Sequence, residues 1–199
     1  MKIIRSVSFD TSFLLKDDPD ADRVIKKLKR DGISCYMTST VISELEQLKI
    51  WNRIDERFYK KAMSRWKRVN ARIIDFKNRF LSSEFGRQCV TSMEAHHGVK
   101  PEDILNDCNI LVIGLKNGVD LFLSEDFHFT SKVTEDVLKD VTNNACVEYH
   151  QMCGENLYAA DTKTFLKAYK KGKIDLEVLD SFRQDIKKPG KRVSKPNMQ

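Results

Sequence analysis

The sequence predicts an α/β fold in which a mostly parallel central sheet is flanked by helices on both faces. Apolar segments of strand length alternate with segments whose apolar residues recur every three or four positions. Such alternation is typical of parallel sheets, because each crossover helix packs on a face of the sheet. The chain has 199 residues, 41% of them hydrophobic, which is sufficient for an ordinary core.

The first half of the chain begins with a strand, a helix, a strand and a helix. We expect these four elements over residues 2–9, 19–30, 33–37 and from Ser39 or Thr40 onward. A long helical region is predicted from Ile50 to Phe80, because apolar residues recur there at helical spacing. A break is expected near residues 82–87.

The second half continues the alternation. The predicted elements are a helix over 101–117, a strand over 119–123, a helix over 131–141, a last strand over 145–149 and a helix over 158–170. The chain then divides into a main domain over 1–150, a helical extension packed on it over 151–185, and a basic disordered tail over 186–199.

Positive charge is concentrated in two segments. Residues 49–79 contain eleven Lys and Arg against three acids, and residues 186–199 contain five Lys and Arg without an acid. Because the net charge of the chain is +6, the remainder is acidic. A nucleic-acid enzyme needs both kinds of region, since one attracts phosphates and the other collects divalent cations. The alternative is solvated helix surface followed by a frayed end.

A stripe of basic residues borders the apolar face of the long helical region. These residues stand one position before many of the apolar ones, and adjacent positions differ by about 100° around a helix. The stripe could line a groove for nucleic acid and consists of Arg53, Arg57, Lys61, Arg65, Arg68 and Arg72.

Several classes of protein receive no support. Apolar stretches such as 119–123 are too short to span a bilayer and the first residues lack signal-peptide features, so we expect a cytoplasmic protein without membrane contact. Five cysteines at irregular spacings predict buried thiols rather than a disulfide framework or zinc ribbon. The sequence has no glycine-rich phosphate loop. His96, His97 and His128 have no His or Cys at metal-ligand spacing, so no catalytic role is expected for them.

Four carboxylates stand where a parallel sheet would bring them together. Asp10 and Asp126 follow strands, and ligands bind beyond the carboxyl ends of such strands. Glu44 lies one turn into a helix that follows a strand, whereas Asp107 requires a helix that crosses the crevice. Acids gathered there would repel one another unless a cation neutralised them, and oxygen ligands favour Mg²⁺ or Mn²⁺.

The chain resembles the PIN-domain nucleases over roughly residues 3–150, in four ordered motifs: Phe9–Leu15, Ser43–Leu45, Asp107–Ile110 and Leu123–Phe129. The resemblance implies an endoribonuclease that hydrolyses RNA with one or two divalent ions held by Asp10, Glu44, Asp107 and Asp126. It also implies that Ser12 and Ser124 orient these acids or a bound water, and that the protein pairs as a homodimer. Asp103 and Glu125 are competing acids in the same motifs.

Two other functions remain open. The same fold with an inactive site could serve as an RNA-binding or assembly module, whose basic tail docks on ribosomal RNA or on a protein. A phosphatase with Asp10 as nucleophile is a further alternative, although Ser12 occupies the position where such enzymes carry a second Asp. An inhibitor protein or an RNA-processing complex is a possible partner of the nuclease.

Overall fold

A parallel sheet flanked by helices is the framework of the protein. The computed structural model describes residues 1–182, except for the side chain of His97. Its strands are β1 (Lys2–Ile3), β2 (Ser6–Phe9), β3 (Ser34–Thr38), β4 (Arg72–Ile74), β5 (Leu121–Leu123), β6 (Tyr158–Ala160), β7 (Tyr169–Lys170) and β8 (Lys173–Ile174). Within these residues, five parallel strands form the main sheet in the order β4-β3-β2-β5-β6. The predicted α/β class is confirmed.

Helices cover both faces of this sheet. They are α1 (Thr11–Leu15), α2 (Pro19–Arg30), α3 (Ser39–Ile50), α4 (Glu56–Val69), α5 (Arg79–His97), α6 (Pro101–Lys116), α7 (Phe127–Thr130), α8 (Lys132–Tyr149), α9 (Thr162–Ala168) and α10 (Leu176–Phe182). The chain adds β3 and β4 on one side of β2, then β5 and β6 on the other. Right-handed crossovers in opposite directions place helices on opposite faces. Accordingly, α2 packs against α4 and α9, whereas α5 packs against α6 and α8.

The neighbouring strands β2 and β5 are buried on both faces. Val7, Phe9 and all of Leu121–Leu123 have no exposed surface. Because the strands are parallel, their carboxyl ends meet at one edge of the sheet. Asp10 and Asp126 follow the ends of β2 and β5, and each caps a short helix by accepting a backbone N–H bond.

The single helical region predicted from Ile50 to Phe80 is wrong. The chain instead forms the end of α3, then α4, β4 and the beginning of α5. Asn70 ends α4 in a left-handed conformation with φ of 50°, and Ile73 lies in β4 with 57% of its surface exposed. The break expected near residues 82–87 is also wrong, because α5 runs through it.

The elements after residue 140 also differ from those predicted. Residues 145–149, predicted as a strand, belong to α8, because a short apolar run does not distinguish a strand from a helix. A helix was expected over residues 158–170. The region instead begins with β6, which is the last of the five strands of the main sheet, and its helical part is α9. β6 pairs with β5 in parallel register from Leu121 opposite Tyr158.

The expected boundary at residue 150 does not follow the sheet. The part of the 151–185 extension that the structure describes contributes β6 to the main sheet, and its β8 pairs with β1 at the chain's start. The predicted tail over 186–199 lies outside the described residues. No helix within residues 1–182 has the length and apolar character needed to cross a bilayer.

The cysteines only partly follow the prediction. Cys35, Cys89 and Cys108 are buried thiols. Cys146 and Cys153 form a disulfide between α8 and the loop that follows it, which the irregular spacing of the cysteines did not indicate.

Candidate functional site

The candidate site lies at the carboxyl edge of the central sheet. Phe9 and Leu123 are neighbours in the β2–β5 register, and the backbone N–H of Asp10 donates to the Leu123 carbonyl over 2.9 Å. The segments that leave these two strands therefore start side by side. This pairing brings Asp10 next to Ser124, although 114 positions separate them in the sequence.

Two serines hold the Asp10 carboxylate. The hydroxyls of Ser12 and Ser124 both donate to Asp10 Oδ2, the second over 2.9 Å. The same hydroxyls accept backbone N–H bonds from Glu125 and Asp126, over 3.0 and 2.9 Å. Ser12 and Ser124 thus connect Asp10 to the backbone that carries Asp126.

Glu44 reaches this group from α3, which starts directly after β3. The Thr11 hydroxyl donates to Glu44 Oε2 over 2.6 Å. Thr11 is the residue after Asp10, so one short segment contacts the carboxylates of both acids. This contact of Thr11 was not expected from the sequence.

Asp107, Asp126 and His128 form the tightest group of candidate ligands. One ligand atom from each lies within 4.8 Å of the others, and among the described residues Asp10 and Glu44 are not part of this group. His128 Nδ1 lies 3.7 Å from Asp107 Oδ2 and 3.5 Å from Asp126 Oδ1. Asp107 comes from α6, so this helix does cross the crevice.

The four acids are close enough to influence one another's pKa. Burial raises the pKa of Glu44, and repulsion by Asp10, Asp107 and Asp126 raises it further, against the bond from Thr11. Burial raises the pKa of Asp107 to about 6, with further repulsion from Asp126 and Asp10 and an opposing effect of His128. Burial also raises the pKa of Asp10, although bonds from the two serines oppose it. A divalent cation would relieve this repulsion.

The two competing acids have different surroundings. Glu125 Oε2 pairs with Lys16 Nζ over 2.6 Å, and Glu125 Oε1 accepts bonds from the backbone and hydroxyl of Thr162. Both oxygens of Glu125 are therefore engaged away from the site. Asp103 is exposed in the first turn of α6, one turn before Asp107.

The predicted basic stripe is divided by the fold. Arg53 lies between α3 and α4, and Arg72 lies in β4 with its guanidinium bonded to the Tyr36 hydroxyl over 2.9 Å. Lys61 and Arg68 pair with Asp17 and Asp22, and Arg57 is exposed on α4.

Arg65 contradicts the expectation of a contact with RNA. Only 1% of its surface is exposed. Its guanidinium donates to the carbonyls of Leu14 and Lys16 over 2.8 and 2.7 Å and pairs with Asp22 over 3.1 Å. The side chain is used inside the protein and is not available to phosphates.

His128, for which the sequence predicted no role, lies beside two of the candidate acids. It stands two residues after Asp126, and no spacing in the sequence indicates that its ring turns toward Asp107. The Asp126 carboxylate accepts the His128 backbone N–H over 2.8 Å, so the two residues are joined within one turn.

Comparison with models of known protein families finds no match for this chain. Comparison with curated proteins finds no significant match either.

Proposed function

We propose that this protein is a metal-dependent endoribonuclease that hydrolyses RNA phosphodiester bonds with Mg²⁺ or Mn²⁺. The observation that carries the proposal is the convergence of Asp10, Glu44, Asp107 and Asp126 from four separate elements, with repulsion raising the pKa of Glu44 and Asp107. A collection of carboxylate oxygens fits a hard divalent cation. RNA as the substrate, and a cytoplasmic location, follow from the PIN-like motifs and from the sequence.

Some residues of the site offer ligand atoms for a cation, and others hold the carboxylates in position. Asp107 and Asp126 offer two carboxylates, and the His128 ring nitrogen is a third donor, with one ligand atom of each within 4.8 Å of the others. Ser12 and Ser124 hold Asp10, and Thr11 holds Glu44. When bound, Mg²⁺ or Mn²⁺ would lower the pKa of a coordinated water and stabilise charge on the phosphate.

The basic residues outside the core support binding of the RNA backbone. Arg53, Arg57 and Arg72 are exposed, and Lys61 and Arg68 retain exposed surface beside their carboxylate partners. Contacts of this kind bind phosphates without reading bases. Selection of the cleavage site therefore depends on RNA shape, or on a partner such as an RNA-processing complex, an inhibitor protein or a second copy.

Asp107→Asn tests the proposal against a matched control, Asp103→Asn, in the same helix. In Mn²⁺, we expect wild type and Asp103→Asn to cleave single-stranded or structured RNA at similar rates. Asp107→Asn should be at least about 100-fold slower, because it removes a ligand from the closest group. EDTA should abolish cleavage by all three proteins. Equal cleavage by wild type and Asp107→Asn would sink the proposal.

Calorimetric titration with Mn²⁺ separates the nuclease from an inactive RNA-binding or assembly module. The nuclease requires wild type to bind Mn²⁺ and Asp107→Asn to bind it much more weakly. An inactive module would bind RNA, give no heat with Mn²⁺ and show no cleavage.

A further inference from the structure

A second cleft lies on the other side of α6 from the acids. It has a volume of about 810 Å³ and is bounded by the segment between β4 and α5, by α5 and by α6. Leu105 and Asn109, four residues apart, line it from one face of α6. Asp107 lies midway between them in the sequence and hence about 200° away around the helix axis. The cleft is therefore distinct from the acidic site.

The charge of this cleft is mainly positive. Lys77, Arg79 and Arg87 line it together with one acid, Asp75. Asp75 Oδ1 accepts bonds from the Ser39 hydroxyl over 3.0 Å and from the Phe76 N–H over 2.8 Å.

The three cations differ in their partners. Arg87 pairs with Glu84 over 2.7 Å. Among residues 1–182, Lys77 and Arg79 have no carboxylate within ion-pair distance. Two exposed cations are thus available to an anionic ligand.

The cleft continues as a groove along α6. A neighbouring cleft of about 360 Å³ shares Asp75, Phe76 and Lys77 and adds Lys116. Leu105 and Lys116 are eleven residues apart on the same side of α6, a distance of about 16 Å along the helix. An elongated groove with cations spread along it fits an extended polyanion better than a compact anion.

We propose that this groove, lined by Lys77, Arg79, Leu105 and Lys116, binds the backbone of a single-stranded RNA segment away from the scissile bond. The inference rests on the proposed nuclease function, and it identifies how the same substrate is held. The segment after β4 leaves the carboxyl edge of the sheet, as do Asp10 and Asp126, so the groove and the acids are accessible from one edge. Leu105, with 51% of its surface exposed, offers apolar surface against which a base can pack.

Neutralisation of two groove cations tests this assignment. The groove variant is Lys77→Gln/Arg79→Gln, and the control is Lys26→Gln/Lys29→Gln, which removes two exposed charges from α2 on the opposite face. Binding of a fluorescein-labelled 15-nucleotide single-stranded RNA is measured in EDTA by anisotropy across a salt series. We expect the groove variant to bind about tenfold more weakly, with a salt dependence reduced by about two released ions. The control should remain within about twofold of wild type.

The outcomes also distinguish this proposal from the nuclease itself. Equal weakening in both variants, or in neither, would overturn the groove, whether or not the wild type cleaves RNA. Weakened binding of poly-glutamate with unchanged RNA binding would likewise overturn it in favour of an acidic peptide. Weaker RNA binding only in the groove variant, in a protein that never cleaves RNA, would support the groove and reject the nuclease. Circular dichroism of both variants checks that they fold.

Discussion

Asp10 is buried in the candidate site, with 4% of its surface exposed. The Ser12 N–H donates to its carboxylate over 3.2 Å, in addition to the two serine hydroxyls. These bonds hold the carboxylate in one orientation, because breaking one would leave a buried polar group unsatisfied. By contrast, 45% of the Asp126 side chain is exposed. Asp10 is therefore the more rigidly held of the two carboxylates, and Asp126 is the more accessible to solvent.

Asp107→Asn should remove a pH dependence of stability from the metal-free protein. Burial raises the pKa of Asp107 from 3.8 to about 6, so the fold favours the protonated carboxyl. This contribution to stability is complete below about pH 4 and is lost as the pH rises through about 6. Urea unfolding in EDTA should show the wild type losing about 2 kcal/mol relative to Asp107→Asn over that interval.

Excess Mn²⁺ should reverse the direction in which the stability of the wild type, relative to Asp107→Asn, changes with pH. A bound cation favours the ionised carboxyl, so wild type should gain stability over Asp107→Asn as the pH rises. Asp103→Asn serves as control and should follow the wild-type profile. Parallel profiles for wild type and Asp107→Asn in EDTA would contradict the pKa assigned to Asp107.

At the scale of elements, α4 fixes α1, the helix that contains Ser12 and is capped by Asp10. The buried Arg65 guanidinium binds carbonyls at the end of α1, including Leu14 O, and also pairs with Asp22 at the beginning of α2. The last carbonyls of a helix have no hydrogen-bond donors within the helix. The Arg65 guanidinium is the donor for these carbonyls in α1. A residue predicted to bind RNA therefore positions the segment behind the acids.

Arg65→Met is expected to destabilise the protein by about 3 kcal/mol, because it leaves the buried carbonyls of Leu14 and Lys16 without their donor. Arg57→Met on the same helix removes an exposed charge and should change stability by less than about 0.5 kcal/mol. Urea unfolding of both variants gives the comparison. Similar stability of the two would show that Arg65 does not hold α1.

The single helical region predicted from Ile50 to Phe80 was wrong for a physical reason. Residues of helical spacing from Ile50 to Phe80 do not share one buried face, since Ile50 and Phe80 are 73% and 69% exposed. Ile73 pairs with Met37 across the sheet, so tertiary hydrogen bonds outweigh the local pattern. Periodicity alone carries no information about a partner strand distant in the sequence.

At the scale of the whole molecule, the C-terminal part completes the sheet. β6 covers the edge of β5, and Ile4 N–H donates to the Gly172 carbonyl over 2.8 Å near the β1–β8 pair. The first and last described segments are therefore structurally joined, although the sequence analysis separated them at residue 150.

A chain ending at residue 150 should fail to fold cooperatively, because it loses β6 and the partner of β1 and exposes the edge of β5. Thermal unfolding followed by circular dichroism compares it with the full chain, which should show one sharp transition. A cooperative transition of the shorter chain near that of the full chain would support the boundary at residue 150.

The sequence by itself determined the α/β class and the α2 and α6 helices, and it named four acids that the fold brings to one edge of the sheet. The class and the helices follow from apolar periodicity and helix caps. Asp10 and Asp126 follow from their places after strands, and Glu44 and Asp107 from the resemblance to PIN-domain motifs. Only the tertiary structure decided that β4 and β6 join the sheet, that Arg65 is buried, and that His128 lies beside Asp107. Each of these depends on contacts between residues far apart in the chain, and the free energy of such contacts is absent from any local pattern.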